Sequence, residues 1–136
     1  MKIIKLILVL FTLNLQTSSD TPTWIDDDEF EDTVSGASAF GDDDDSIIIV
    51  EFWADFNKDN SFDEWNKLIG VKYYRIDIAN APVSKKKYRV RMTPTLIVFK
   101  NGEKQAIFKA GLDLLLPANL QEIQETIDEI NTASSF

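Results

Sequence analysis

The residues able to do chemistry gather between positions 51 and 63. Glu51 is the single acid in an apolar run, Ile47-Ile48-Ile49-Val50-Glu51-Phe52-Trp53. A carboxyl inside a low-dielectric strand favours its neutral form, so burial would raise its pKa and make it the one candidate general base. Just beyond it, Asp55, Asn57, Asp59, Ser61 and Asp63 alternate as oxygen ligands do in a calcium-binding loop. The pattern departs from such a loop at two places. The sixth-position glycine is Asn60 and the twelfth-position glutamate is Asn66. Helix-capping residues at a strand-to-helix turn account for most of the same letters. A second run, Asp42-Asp43-Asp44-Asp45, could also collect calcium, but it reads better as a solvated acidic loop. The chain has no cysteine and no histidine. That closes thiolate chemistry, structural disulfides, sulfur-ligated metals, the usual imidazole base and the commonest zinc ligand. With no nucleophile or imidazole beside Glu51 in any motif, no catalytic residue and no cofactor are assigned.

Elements must hold these residues. The apolar run around Glu51 is short, Ile/Val-rich and closed by polar residues, which predicts a strand buried on both faces. Before it, Thr21-Pro22-Thr23-Trp24-Ile25 suits an edge strand, where proline is tolerated. Asp26 then caps a short helix with acids in its first turn and Phe30 and Val34 on one face. After the central strand, Ser61-Phe62-Asp63-Glu64 has capping-box form, with Phe62, Trp65, Leu68 and Ile69 at helical spacing up to Gly70. Residues 71–78 are β-rich. Residues 79–91 hold Pro82, Lys85, Lys86, Lys87, Arg89 and Arg91, a short basic helix whose charges are either solvated or an anionic docking patch. Asn101-Gly102 signals a hairpin between strands that start at Pro94 and Lys104. Pro117 suits the first turn of a last helix whose apolar stripe is Leu120, Ile123, Ile127 and Ile130.

Two stretches resemble the thioredoxin family. Val50-Glu51-Phe52-Trp53-Ala54-Asp55-Phe56 matches the lead-in to that family's Cys-Gly-Pro-Cys, and Arg91-Met92-Thr93-Pro94-Thr95 with Lys100-Asn101-Gly102-Glu103 matches its cis-proline loop and hairpin. The resemblance covers about residues 21–131. It implies an α/β thioredoxin-like fold: a central mixed sheet, parallel in its first half and an antiparallel hairpin in its second, with helices on both faces. The reactive window is Asn57-Lys58-Asp59-Asn60 here, so both sulfur positions carry asparagine. Trp53, Asn57, Lys58, Asp59 and Asn60 are then the degenerate active-site positions, and Glu51 the buried acid. The resemblance also implies that Thr93-Pro94, with Trp53, would border a groove where the Thr93 backbone pairs with an extended peptide. Counted back from Asp77, the family's lysine near the buried acid is Tyr73, so Glu51 is expected to lack that partner.

At 136 residues with 44 % hydrophobic content, the chain has room for one modest core. Its net charge of −9 argues against nucleic acid or an anionic membrane as main partner. Residues 1–19 read as a secretory signal peptide: Lys2 and Lys5, then Leu6-Ile7-Leu8-Val9-Leu10-Phe11, then Thr17-Ser18-Ser19. A signal anchor or a mitochondrial presequence is the alternative. The apolar part is shorter than the ~20 residues of a spanning helix. Residues 20–46 would form an acidic strand-helix-loop, 47–131 the core and 132–136 a tail. Two roles follow: a non-catalytic module binding a protein or extended peptide in the secretory pathway, or a structural subunit of a larger assembly. A calcium-binding variant of the fold is a third.

Overall fold

The computed structural model describes residues 21–36 and 46–133. Residues 1–19, the run at 42–45 and the last three residues lie outside these, and with them the readings placed there, the signal peptide among them. Five strands form one sheet: β1 (Thr23–Ile25), β2 (Ile47–Trp53), β3 (Val71–Asp77), β4 (Thr95–Lys100) and β5 (Glu103–Lys109), in the order β1-β3-β2-β4-β5. β1 and β2 both run parallel to β3, while β4 runs antiparallel to β2 and to β5. The parallel half and the hairpin half are therefore as expected. β2 lies at the centre and is buried from Ile47 to Phe52.

The period-two alternation of β2 divides the core. Ile48, Val50 and Phe52 face α1 (Asp27–Ser35) and α2 (Pro82–Lys87), with Phe30, Val34, Ile76, Ile97 and Phe99. Phe30 sits at the middle of this layer, its ring centroid 5.9 Å from Phe52, 5.4 Å from Tyr88 and 5.8 Å from Phe99. Ile47 and Ile49 face the other way, onto Leu96, Val98 and α3 (Leu120–Ala133) through Ile123 and Ile127. Each such side chain, fully buried, stabilises by about 1.5–3 kcal/mol. The β4–β5 turn places Asn101 and Gly102 at φ 52° and 78°, the left-handed pair that a two-residue hairpin requires.

Two expected helices differ. Ser61 caps no α-helix. The β2–β3 crossover consists of two 3-10 turns, Asp55–Asn60 and Asp63–Lys67, and Ser61 ends the first, its hydroxyl donating to the Lys58 carbonyl. The reason lies in the spacing: Phe62, Trp65 and Leu68 are three apart, which suits the three-residue turn of a 3-10 helix. Phe62 and Leu68 are buried, while Ile69 is left exposed. The last helix begins at Leu120 and Pro117 lies outside it. Its start is set by a capping box that the proline obscured: Asn119 Oδ1 accepts from Glu122 N at 2.9 Å and Glu122 Oε2 accepts from Asn119 N at 3.2 Å.

α2 has no capping side chain of its own. Asp27 supplies one from α1, accepting from Val83 N (2.8 Å), Ser84 N (2.9 Å) and Ser84 Oγ (2.6 Å). Burial, the largest single influence, pushes the Asp27 carboxyl up, but the Ser84 hydroxyl and the two backbone N–H groups together hold it below the ordinary range. A depressed acid contributes stability that is present above its unfolded pKa and is lost as pH falls through its folded pKa. Asp27→Asn should therefore lower stability at neutral pH by about 1–3 kcal/mol and flatten the acid limb of the stability curve, as followed by thermal melts from neutral to strongly acid pH.

Candidate functional site

The C-terminal end of β2 places Glu51 under the crossover, and its carboxyl is fully buried. The lysine of the family is absent, as expected, but Glu51 has other partners. In the parallel register Glu51 lies beside Arg75 of β3, and Nη2 of Arg75 donates to its Oε1 at 2.9 Å. Tyr73, at the position where a lysine was sought, donates its hydroxyl to the same oxygen at 2.6 Å. Phe62 N–H donates to Oε2 at 3.3 Å, which fastens the crossover to the sheet. Arg75 in turn lies 5.7 Å from the Trp24 ring centroid on β1. The arginine was missed because the register that aligns it with Glu51 is set by strand pairing and cannot be read by counting back from Asp77.

Burial pushes the Glu51 carboxyl above the ordinary glutamate range. The Arg75 charge, and the hydrogen bonds from Tyr73, Arg75 and Phe62, pull it partly back. Burial first, and then the Glu51 charge, push the Tyr73 hydroxyl well above its usual range, so it stays a donor.

Beyond β2 two of the degenerate positions, Asn57 and Asn60, form a set of hydrogen bonds with the neighbouring loops. Asn57 Nδ2 donates to the Thr93 carbonyl at 2.6 Å and to the Leu114 carbonyl at 3.1 Å. Asn60 Nδ2 donates to Asn57 Oδ1 at 2.8 Å and to the same Leu114 carbonyl at 3.2 Å. Two carboxamides thus tie three segments together: the first 3-10 turn, the loop before β4 and the loop after β5. Thr93-Pro94 is a cis peptide, and Pro94 accepts from Ala110 N at 3.0 Å, bringing the loop after β5 alongside. Leu114, at φ 60°, holds a left-handed backbone that costs a non-glycine residue roughly 1–2 kcal/mol. No sequence signal marks a leucine for that conformation, so its part in the site was not foreseen.

Lys58 and Asp59 are exposed and outside this set. Trp53 is not part of it either. Its ring packs edge-on against Trp24 at 5.0 Å, toward β1, whereas Thr93-Pro94 leads into β4 on the opposite side of β2. The alternating oxygen residues are engaged within the turn: Asn57 Oδ1 accepts from Asn60 and the Ser61 hydroxyl donates to the Lys58 carbonyl, and no three acidic side chains converge on a metal position among the described residues. Nor is any helix among the described residues long and apolar enough to cross a membrane.

Comparison with known proteins agrees with this geometry. The family model described as Thioredoxin matches residues 22–122. Among solved structures, the thioredoxin of Malassezia sympodialis is 20 % identical, with a TM-score of 0.58 over 80 % of this chain and 90 % of that one. A mutant thioredoxin from Halobacterium salinarum is 20 % identical, with a TM-score of 0.60 over 81 % and 90 %. A designed protein matches at 19 % identity and TM-score 0.55, over 82 % and 93 %. At such identities the structural matches speak to fold alone.

A raised carboxyl gives stability that is whole below its unfolded pKa and is lost as pH rises through the folded value. Wild-type stability should therefore fall across that interval while Glu51→Gln stays level, so that the variant gains on the wild type toward neutral pH. Urea unfolding at a series of pH values reads the two slopes. Arg75→Met, which strands the carboxylate, should cost about 3–5 kcal/mol at neutral pH and steepen the fall.

Proposed function

The chain belongs to the thioredoxin family, and from that premise we propose that it is a redox-inactive, non-catalytic module that binds an extended segment of another polypeptide. Disulfide exchange begins with attack of a thiolate on sulfur, and a carboxamide cannot make that attack. The asparagines at 57 and 60 instead turn the former reaction centre into a fixed floor.

The observation that carries the binding reading is the distribution of exposed apolar side chains. Of the six large apolar side chains exposed among the described residues, Trp24, Ile69 and Val83 stand elsewhere, while Phe56 (73 % exposed), Leu112 (91 %) and Leu115 (50 %) stand on the first 3-10 turn and on the loop after β5. Those are the segments that the asparagines tie to Thr93-Pro94. Large apolar groups held out in water around one floor mark an interaction surface rather than core. The Thr93 carbonyl is already used by Asn57, but the Thr93 N–H donates to no group among the described residues. An extended segment supported there would use that donor, with its side chains among Phe56, Leu112 and Leu115. The basic, apolar leader at residues 1–19 supports a secretory compartment as the place of action.

Phe56→Asp and Leu112→Asp alter exposed side chains and leave the fold intact by circular dichroism. Each should weaken binding of an unstructured apolar peptide by about tenfold or more, measured by fluorescence anisotropy. Binding that is indifferent to both changes, together with one standing partner captured in fixed stoichiometry, would support a structural subunit instead.

A further inference from the structure

Beside the cis-proline loop lies a cationic groove that the binding reading does not use. Two neighbouring cavities, about 490 Å³ and about 360 Å³, share Arg89, Val90 and Arg91 as their common wall. The first is completed by Pro82, Lys85 and Lys86, and the second by Met92, Thr95 and Lys109. Five cations, Lys85, Lys86, Arg89, Arg91 and Lys109, therefore line a trough made of two adjoining cavities, with Arg89 and Arg91 common to both. None of the five is in an ion pair with another of the described residues. The nearby lysine that does have a carboxylate, Lys87 with Glu31, lies outside both cavities.

Helix electrostatics do not account for this set. Lysines in the last turn of α2 suit the negative end of its dipole. Arg91 lies past the helix, however, and Lys109 comes from the far end of β5. Arg89 stands at φ 55°, a backbone that glycine adopts freely and arginine adopts at a cost. The second cavity reaches Met92 and Thr95, which flank Thr93-Pro94. A segment lying along that loop would run straight into the trough.

We infer that the trough receives a short acidic stretch of the bound polypeptide, so that the partner carries an apolar segment adjoining a run of Asp or Glu. This deepens the peptide-binding reading and rests on it. Charge complementarity favours a short acidic block. The chain's net charge of −9 repels a long polyanion such as nucleic acid everywhere outside the trough.

The test uses the full chain and two fluorescein-labelled probes, an apolar tetrad followed by six glutamates and the same tetrad followed by six glutamines. The glutamate probe should bind more tightly, with the advantage shrinking as salt is raised. Arg89→Gly/Arg91→Gln should weaken the glutamate probe by about tenfold or more and leave the glutamine probe unchanged. Arg89→Gly alone should raise the Tm while weakening the glutamate probe, which separates folding from binding. Equal affinity for the two probes overturns the inference and leaves the peptide-binding reading standing; no binding of either overturns both. A thymidine oligonucleotide of equal charge that binds more tightly than the glutamate probe overturns it in favour of nucleic acid. Glutamate binding that emerges only when Asp42, Asp43, Asp44 and Asp45 are replaced by serine, or salt-sensitive dimers in sedimentation, overturns it in favour of the chain's own acidic run or a second copy.

Discussion

The pairing of Glu51 with Arg75 constrains everything above the sheet. It joins the two central parallel strands at their C-terminal ends, inside a layer that is otherwise apolar. Such a pair adds little net stability, because desolvation offsets most of the attraction. Arg75 Nε even has no hydrogen-bond partner among the described residues, which costs roughly 1–3 kcal/mol. Its effect is positional. The carboxyl offers one oxygen to Tyr73 and Arg75 and the other to Phe62 N–H, and the last bond fixes where the crossover leaves the sheet. With Phe62 pinned there and Leu68 drawn into the same layer, the connection tightens into 3-10 turns.

That tightening delivers Asn57 and Asn60 to the loops around Thr93 and Leu114. A thioredoxin fold keeps its reaction centre at this junction of turn and cis-proline loop. Here the junction is filled by amide hydrogen bonds between neutral groups, each worth about 1 kcal/mol net. The set couples the left-handed Leu114 to the turn, so it also holds Leu112 and Leu115 in position. The function proposed for the site follows from what remains exposed around that floor.

Much of this was legible in the sequence. The alternation in β2, the Asp26 cap, the Asn101-Gly102 turn and the Thr93-Pro94 loop are local signals, and each is found where its letters put it. The absence of cysteine excluded thiol–disulfide exchange from composition alone. Part of what the sequence hid depends on pairing between distant segments, and part on local signals that read two ways. Arg75 becomes the partner of Glu51 only through the register of β2 and β3. Phe62, Trp65 and Leu68 stand three apart, which an α-helix tolerates and a 3-10 helix suits, and the bond from Phe62 N–H to the Glu51 carboxyl beneath accompanies the tighter turn. Asn119 and Glu122 were overlooked because Pro117 offered a more familiar start. Asp27 looks like an ordinary first-turn acid, and only the packing of α1 on α2 makes it a cap for another helix.

The central claim is that Asn57 and Asn60 join the turn and both loops into one hydrogen-bonded floor. Nuclear magnetic resonance of the side-chain amides in the ¹⁵N-labelled protein tests it most directly. The account predicts that the Asn57 carboxamide protons are shifted from free-asparagine positions, exchange slowly with water and show cross-relaxation to Thr93 and Leu114. Carboxamide protons of Asn57 and Asn60 that exchange at the rates of a free side chain and show no contact with either loop would contradict it.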